Sequence, residues 1–176
     1  LVERGHEVRV LTAHLKGLER QEEMDGFRVI RVPSARSQAF KAGLLPMAGF
    51  VVAGIPAGLR LVHRWRPDVI HVHFAVPSGP VAWVVARFHR IPYVLTAHLG
   101  DVPGGVPEKT GRWFRWIYPL TPSLWRRAAQ VVAVSEYSRQ LALQAYPVNI
   151  QVIPNGVDLN LLDPGEIKVG DPPQVV

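Results

Sequence analysis

Residues 67–101 read PDVIHVHFAVPSGPVAWVVARFHRIPYVLTAHLGD and contain two short apolar runs, residues 69–73 and 93–97. Between the runs, residues 79–89 read as a helix with little polar character. A strand, a helix and a second strand in this order form a βαβ unit, in which the two strands are parallel. The almost continuous apolar character of the two runs is typical of strands that are buried on both faces of a parallel sheet.

The same alternation extends in both directions from this unit. We predict further strands at residues 7–12, 27–32, 131–134 and 150–153, and further helices at residues 39–64, in part of residues 112–127, and at residues 136–145. Pro46 and Pro56 are expected to break the first of these helices, and Ser135 is a good N-cap for the last. The strands at residues 7–12 and 27–32 alternate more than the others, so we expect them toward an edge. The pattern predicts an α/β fold with a doubly wound, Rossmann-like parallel sheet.

The composition excludes several classes of protein. The 176 residues are 48% hydrophobic and 19% charged, which fits one packed domain rather than a disordered chain. The absence of cysteine excludes disulfide scaffolds and cysteine-ligated metal sites. The net charge of +6 suits an anionic partner, such as a phosphate-bearing ligand, an anionic lipid surface or nucleic acid. Residues 42–59 carry no charge and imitate a membrane span. Their glycines and prolines, and the helical spacing of their large apolar residues, favour a helix packed on the sheet, and a helix that touches a membrane is the alternative.

Polar residues follow three predicted strands, at the edge where ligands bind in open α/β sheets. These residues are His71 and His73, then Thr96, His98, Gly100 and Asp101, and finally Ser135 and Glu136. His71 and His73 are two residues apart and therefore face the same side of their strand. Gly100 allows the backbone to bend close to a ligand, and the helix that begins after Ser135 offers free N–H groups to an anion.

These residues leave several chemistries open. A histidine on a strand is often a hydrogen-bonded core residue, and Ser135 can serve as a helix cap alone. His71, His73 and His98 can also be arranged as a three-histidine zinc site of a metal-dependent hydrolase. A non-catalytic Rossmann-type binding domain is a further alternative. The chain has no GxxxxGK[ST] loop and no GxSxG elbow, which disfavours a P-loop nucleotidase and an α/β-hydrolase. It also has no DxD pair, which weakens a nucleotide-sugar scheme that relies on a divalent metal ion.

Five segments, taken in order, carry a resemblance to a known family. They are RGHEV at residues 4–8, PDVIHVH at 67–73, TAHLGD at 96–101, VAVSEYS at 132–138 and VIPNGVD at 152–158. Together they resemble the N-terminal half of retaining glycosyltransferases of family 4. The resemblance implies a GT-B fold, in which two Rossmann-like domains face a cleft.

The resemblance also implies where this chain lies in such an enzyme. Residues 1–170 match the Rossmann-like acceptor-side domain, without its first strand and Gly-rich loop. Residues 1–7 read as the last turn of a helix that Gly5 caps, so we expect this chain to be an internal piece of a longer protein. Residues 171–176 read as a stiff linker and the start of the donor-side domain, and the fragment alone is expected to be inactive.

The family transfers a sugar from a nucleotide-sugar to an acceptor hydroxyl with retention and requires no metal or other cofactor. The resemblance therefore implies a role in glycan, glycolipid or polysaccharide biosynthesis, with a sugar, a lipid-linked molecule or a small molecule as acceptor. His98 matches the histidine at the donor sugar, although Leu99 separates it from Gly100. The expected substrate-binding residues are His73, Thr96, Gly100, Asp101, Ser135, Glu136, Asn155 and Gly156.

An aromatic–basic segment, residues 112–127, contains no acidic residue. Its aromatic rings and arginines suit an anionic membrane interface or a lipid-linked acceptor. The residues expected to make this contact are Arg112, Trp113, Arg115, Trp116, Arg126 and Arg127. A helix packed on the domain is the alternative, and we do not expect nucleic acid as a partner. The expected location is cytoplasmic, peripheral at the inner face of the membrane.

Overall fold

The computed structural model describes residues 1–37, 43–106 and 114–157. The strands are β1 (Arg9–Leu15), β2 (Gln21–Met24), β3 (Phe27–Arg36), β4 (Ile70–His73), β5 (Tyr93–Ala97), β6 (Gln130–Ala133) and β7 (Ile150–Val152). The α-helices are α1 (Leu44–Trp65), α2 (Ser78–His89), α3 (Phe114–Ile117), α4 (Pro122–Arg127) and α5 (Glu136–Ala145). Residues 39–42 of the first predicted helix and the predicted linker at 171–176 lie outside the described residues.

The strands form two sheets, not the single open sheet that the alternation predicts. One sheet has the order β4-β5-β6-β7 and is parallel throughout, as expected. The other has the order β1-β3-β2, with β1 parallel and β2 antiparallel to β3. The prediction that residues 27–32 lie toward an edge is wrong, because β3 is the middle strand of its sheet. Within the described residues, β1 and β4 each pair with a strand on one side only.

Strand β2 was not predicted. It forms a hairpin with β3 in which Met24 pairs with Phe27, so that Asp25 and Gly26 form a two-residue loop. Both loop residues have positive φ, 47° for Asp25 and 78° for Gly26, as a type I′ turn requires. The Asp-Gly dipeptide is a strong hairpin signal in the sequence.

Helix α1 crosses from the carboxyl end of β3 to the amino end of β4 and joins the two sheets. It is continuous, so the expectation that Pro46 and Pro56 break it is wrong. Pro46 lies in the first turn, where backbone N–H groups have no partner within the helix. Pro56 lies inside the helix on its exposed side, where water can solvate the carbonyl that the proline leaves without a donor.

Two clusters of buried side chains hold the domain together. The larger lies around β4–β7 and includes Trp125 and Tyr146, whose rings stack with centroids 4.1 Å apart. The smaller lies between α1, α2 and β3, where Phe50, Val62 and Val85 are buried. The chain begins with a short 3-10 turn, Val2–Arg4, which the predicted Gly5 caps with a φ of 82°.

Candidate active site

The polar residues predicted at the strand ends come together at the carboxyl edge of β4 and β5. His73 pairs in register with Thr96, so the side chains that follow the two strands are neighbours. His71 and His73 share one face of β4, as predicted, with ring centroids 4.5 Å apart. The Nε2 atom of His71 lies 2.7 Å from the Thr96 hydroxyl. The Thr96 hydroxyl therefore already has a hydrogen-bond partner in His71, and Thr96 is buried.

His98, directly after β5, forms a pair with His73. The Nε2 atom of His98 lies 3.2 Å from Nδ1 of His73, so one of these two nitrogens carries a proton and donates to the other. The backbone of His98 is fixed on both sides. Its N–H donates to a carboxylate oxygen of Asp101 at 2.9 Å, and its carbonyl accepts the N–H of Asp101, also at 2.9 Å.

The environment keeps two of these histidines neutral. Burial lowers the pKa of His98, and a positive charge on His73 would lower it further. The same two causes, burial first and His73 second, lower the pKa of His71. Near neutral pH these rings can therefore donate one hydrogen bond and accept another, as binding a hydroxyl group requires.

Asp101 links the segments that follow β4 and β5. It is buried, with only 2% of the residue exposed. One carboxylate oxygen accepts the backbone N–H of His98 at 2.9 Å and the other accepts that of Val76 at 3.3 Å. Burial raises the pKa of this carboxyl to about 7, against the opposing effect of backbone hydrogen bonds. Asp101 was predicted to bind substrate. In the structure its carboxylate instead accepts backbone N–H groups beneath the site.

Sequence reasoning missed Phe74. This residue ends the β4 run with a φ of 69°, which is uncommon for a bulky side chain. Its ring stacks on that of His98, with centroids 4.3 Å apart and planes 26° apart. Phe74 thus holds the His98 ring from one side, while Asp101 fixes the backbone of the same residue. An aromatic residue directly after His73 in the sequence is the signal that could have suggested it.

The glycine that the loop after β5 needs is Gly105. A Cβ atom at Gly105 would overlap the carbonyl oxygen of Leu99, whereas a Cβ at Gly100 would meet nothing within 4 Å. Gly100, expected to let the backbone approach a ligand, lies in the 3-10 turn Leu99–Asp101 and is partly exposed. The tight packing of the loop on this turn therefore depends on Gly105.

The remaining predicted residues lie along the same edge of the sheet. Ser135 follows β6 and caps α5, accepting the N–H of Ser138 at 3.1 Å, as predicted. Glu136 is exposed and pairs with Arg139 at 2.8 Å. Asn155 and Gly156 are exposed beyond β7, two strands away from β5.

The aromatic–basic segment is only partly described. Arg112 and Trp113 lie outside the described residues, as does the side chain of Arg115. Trp116 is 85% exposed and Arg126 is also exposed, while Arg127 stacks over the Trp83 ring at 5.8 Å.

The geometry does not favour the three-histidine zinc site. Within residues 1–37, 43–106 and 114–157, no group of three or more His, Asp or Glu side chains is arranged to hold a metal ion. Nε2 of His71 faces Thr96, and the facing nitrogens of His73 and His98 are bonded to each other. The histidines therefore form a hydrogen-bonded row rather than a ligand set that converges on one point.

Comparison with known proteins identifies the family. A family model described as Glycosyltransferase Family 4 matches residues 1–161. The chain belongs to Glycosyltransferase Family 4. This membership confirms the resemblance found in the sequence, and the chain is a glycosyltransferase domain.

Curated relatives of this family 4 domain include two transferases. The 2-deoxystreptamine N-acetyl-D-glucosaminyltransferase of Streptomyces fradiae is 28% identical over 173 residues, which cover 89% of this chain and 40% of the relative. The glycogen synthase of Mycobacterium tuberculosis is 28% identical over 171 residues, which cover 88% of this chain and 41% of the relative. The chain thus spans about two fifths of the length of these two relatives.

A solved structure confirms the fold class. Sucrose-phosphate synthase from Thermosynechococcus elongatus superposes on the family 4 domain with a TM-score of 0.70 and 20% identity, covering 91% of this chain and 41% of that one. The α/β, Rossmann-like GT-B fold expected from the sequence is therefore confirmed. At this identity the likeness speaks for the fold alone.

Proposed function

We propose that this domain supplies the acceptor-side half of the active site in a retaining glycosyltransferase that uses a nucleotide-sugar donor. The observation that carries the proposal is the His73–His98 pair at the carboxyl edge of β4 and β5, with His98 as the catalytic residue. Open α/β sheets bind ligands at this edge. The relatives named above are transferases of sugar units, which supports a hydroxyl-bearing acceptor.

The histidine pair can bind a sugar hydroxyl. A hydroxyl group can accept a hydrogen bond from Nε2–H of His98 and donate one to Nδ1 of His73. The two nitrogens are 3.2 Å apart, so one ring must move before a hydroxyl fits between them. We expect His73 to move, because its side chain is exposed. The Phe74 ring and the hydrogen bond from the His98 backbone N–H to Asp101 hold His98 in place.

The chemistry of transfer suits a site of this kind. Breaking the bond between sugar and diphosphate builds positive charge on the sugar ring and negative charge on the leaving group. A neutral His98 that orients the donor sugar adds no positive charge beside the sugar ring. The leaving diphosphate would be held by the donor-side domain and by helix N-termini at the cleft, such as that of α5 behind Ser135. We expect no metal requirement and a cytoplasmic location.

The test uses the complete enzyme with nucleotide-sugars and soluble acceptors. His98→Ala is expected to lower kcat by about a hundredfold, the usual effect of losing one positioned donor. His6→Ala, an exposed histidine before β1, is the matched control and should leave kcat unchanged. Proton NMR of the product gives the anomeric configuration. A folded His98→Ala enzyme with normal kcat, or a product with inverted configuration, would contradict the proposal.

A further inference from the structure

Helix α1 has two opposite faces that differ in their surroundings. One row of residues, Phe50, Gly54, Gly58 and Val62, is buried. A Cβ atom on Gly54 would lie 3.1 Å from the Val81 side chain of α2, so the two helices pack closely. The opposite row, which we call the outer row, is exposed at Leu45, Ala48, Val52, Pro56, Arg60 and Arg64.

The first half of the outer row is apolar although it is exposed. Leu45 and Val52 are each 74% exposed. A surface helix of a soluble domain normally presents polar side chains on the face away from the core. Over its most apolar 18 residues, α1 has a mean hydropathy of 1.6, yet only 22% of this stretch is buried. The buried row of α1 packs against β3, β1 and α2. The helix is therefore held in the domain and does not cross a bilayer.

The second half of the outer row is basic. Arg60 and Arg64 continue the row, and Arg66 follows the helix. Within the described part of the chain, none of these arginines forms an ion pair with a carboxylate. Asp68 is the only acidic residue in the sequence between Asp25 and Asp101.

The end of α2 adds to this basic region. The rings of His63 on α1 and His89 on α2 lie 6.3 Å apart, which places the two helix ends side by side. Arg87 and Arg90 are exposed there, and Phe88 between them is 73% exposed. An exposed aromatic ring among arginines is typical of residues at a membrane interface.

We propose that the outer row of α1 docks this domain on an anionic lipid bilayer. The apolar turns at Leu45, Ala48 and Val52 enter the boundary between headgroups and acyl chains, and Arg60 and Arg64 bind lipid phosphates. Charge decides between a bilayer and a second copy of the chain. A second copy would bring the same arginines and no acidic residue on this helix, whereas an anionic lipid surface complements them.

This docking differs in place from the contact predicted at residues 112–127 and does not rest on the proposed sugar transfer. Helix α1 begins at the carboxyl end of β3, so its apolar turns lie toward the sheet edge that carries the histidine pair. A bilayer along the outer row would therefore lie beside that edge.

The first experiment measures binding of the complete protein to vesicles, without donor or acceptor. Sedimentation with vesicles of phosphatidylglycerol and phosphatidylcholine is compared with pure phosphatidylcholine. We expect binding to the anionic vesicles only, and a loss of at least tenfold in Val52→Glu. Leu143→Glu, at an exposed leucine of α5, is the matched control and should bind like the wild type. Circular dichroism verifies that each variant is folded.

The second experiment separates the position of the arginines from total charge. Arg60→Gln with Arg64→Gln should weaken binding to anionic vesicles about thirtyfold, from roughly 1 kcal/mol per basic residue near the surface. Arg4→Gln with Arg20→Gln removes the same charge from exposed sites elsewhere and should change binding by less than threefold. Equal losses in the two double variants would overturn the proposal, as would wild-type binding that ignores lipid charge. A Val52→Glu variant that binds vesicles normally but dissociates a dimer in sedimentation analysis would also overturn it, in favour of a second copy.

Discussion

The histidine pair and the outer row of α1 are both open to solvent, but they are built in opposite ways. Around the pair, contacts fix the neighbouring groups: the His98 backbone N–H donates to Asp101, the Phe74 ring stacks on His98, and His71 lies 2.7 Å from the Thr96 hydroxyl. Along the outer row, Val52 is 74% exposed, and arginines such as Arg60 lack a described carboxylate. A polar site in which His98 is held and only His73 has to move suits a small ligand of fixed shape. An exposed row about five turns long suits an extended surface.

The largest expected effect is at the histidine site. His98→Ala in the complete enzyme should lower kcat about a hundredfold and leave vesicle binding unchanged, because His98 lies on a strand end and not on α1. Transfer assays and vesicle sedimentation on the same preparation measure both. If vesicle binding fell together with kcat, the two regions would not be separate.

The next effect concerns the buried row of α1. A Cβ at Gly58 would lie 2.8 Å from Cγ2 of Val85, and Val85 is buried and stiff at χ1. Gly58→Val should therefore lower the free energy of unfolding by about 1–3 kcal/mol through overpacking. Ala48→Val, on the outer row, is the matched control and should change it by less than about 0.5 kcal/mol. Urea unfolding measures both, and equal losses would mean that the outer row is also packed.

A smaller effect is expected from the pH dependence of stability. Burial raises the pKa of Asp101 to about 7 from 3.8, so the folded state holds a proton that the unfolded chain releases. The stability linked to this group is complete below pH 4 and is lost as the pH rises through about 7. His71 and His98, whose pKa values are lowered, act in the opposite sense, since their contribution is lost as the pH falls below 6.5.

The variant Asp101→Asn isolates the carboxyl. It leaves both histidines in place and removes the titration, so the difference in thermal midpoint between wild type and variant should narrow as the pH rises from 5 to 8.5. The variant also loses one acceptor for a backbone N–H, which should lower its midpoint throughout. A difference that is constant over this range would show that Asp101 does not titrate there.

The smallest expected effect lies on the outer row. Val52→Ser should change the free energy of unfolding by less than about 0.5 kcal/mol, because the side chain is 74% exposed and loses little protein contact. Its effect on vesicle binding should nevertheless be measurable, since a buried methyl group contributes about 0.8 kcal/mol. Calorimetry and vesicle sedimentation provide the two values. A large loss of stability would place Val52 in the core.

Much of the parallel sheet could be predicted because its strands are locally distinctive. Residues 93–97 and 136–145 were predicted with the boundaries that the structure gives to β5 and α5. Both have clear local signals, a short β-branched run in one case and the Ser135 cap in the other. The hairpin at Asp25 and Gly26 was missed, although its turn chemistry is equally local.

The sequence by itself determined the βαβ alternation, the family and the grouping of polar residues at strand ends, because these depend on periodicity and on motifs within a few residues. Tertiary structure alone decided what each of those residues does. Asp101 and His98 are three residues apart and look alike as site residues, but packing buries the first beneath the backbone and leaves the second facing His73. The uncharged run in α1 likewise looks like a core helix or a membrane span. Only its packing on β3 and α2 shows that one face is buried and the other open, since burial depends on contacts between segments far apart in the chain.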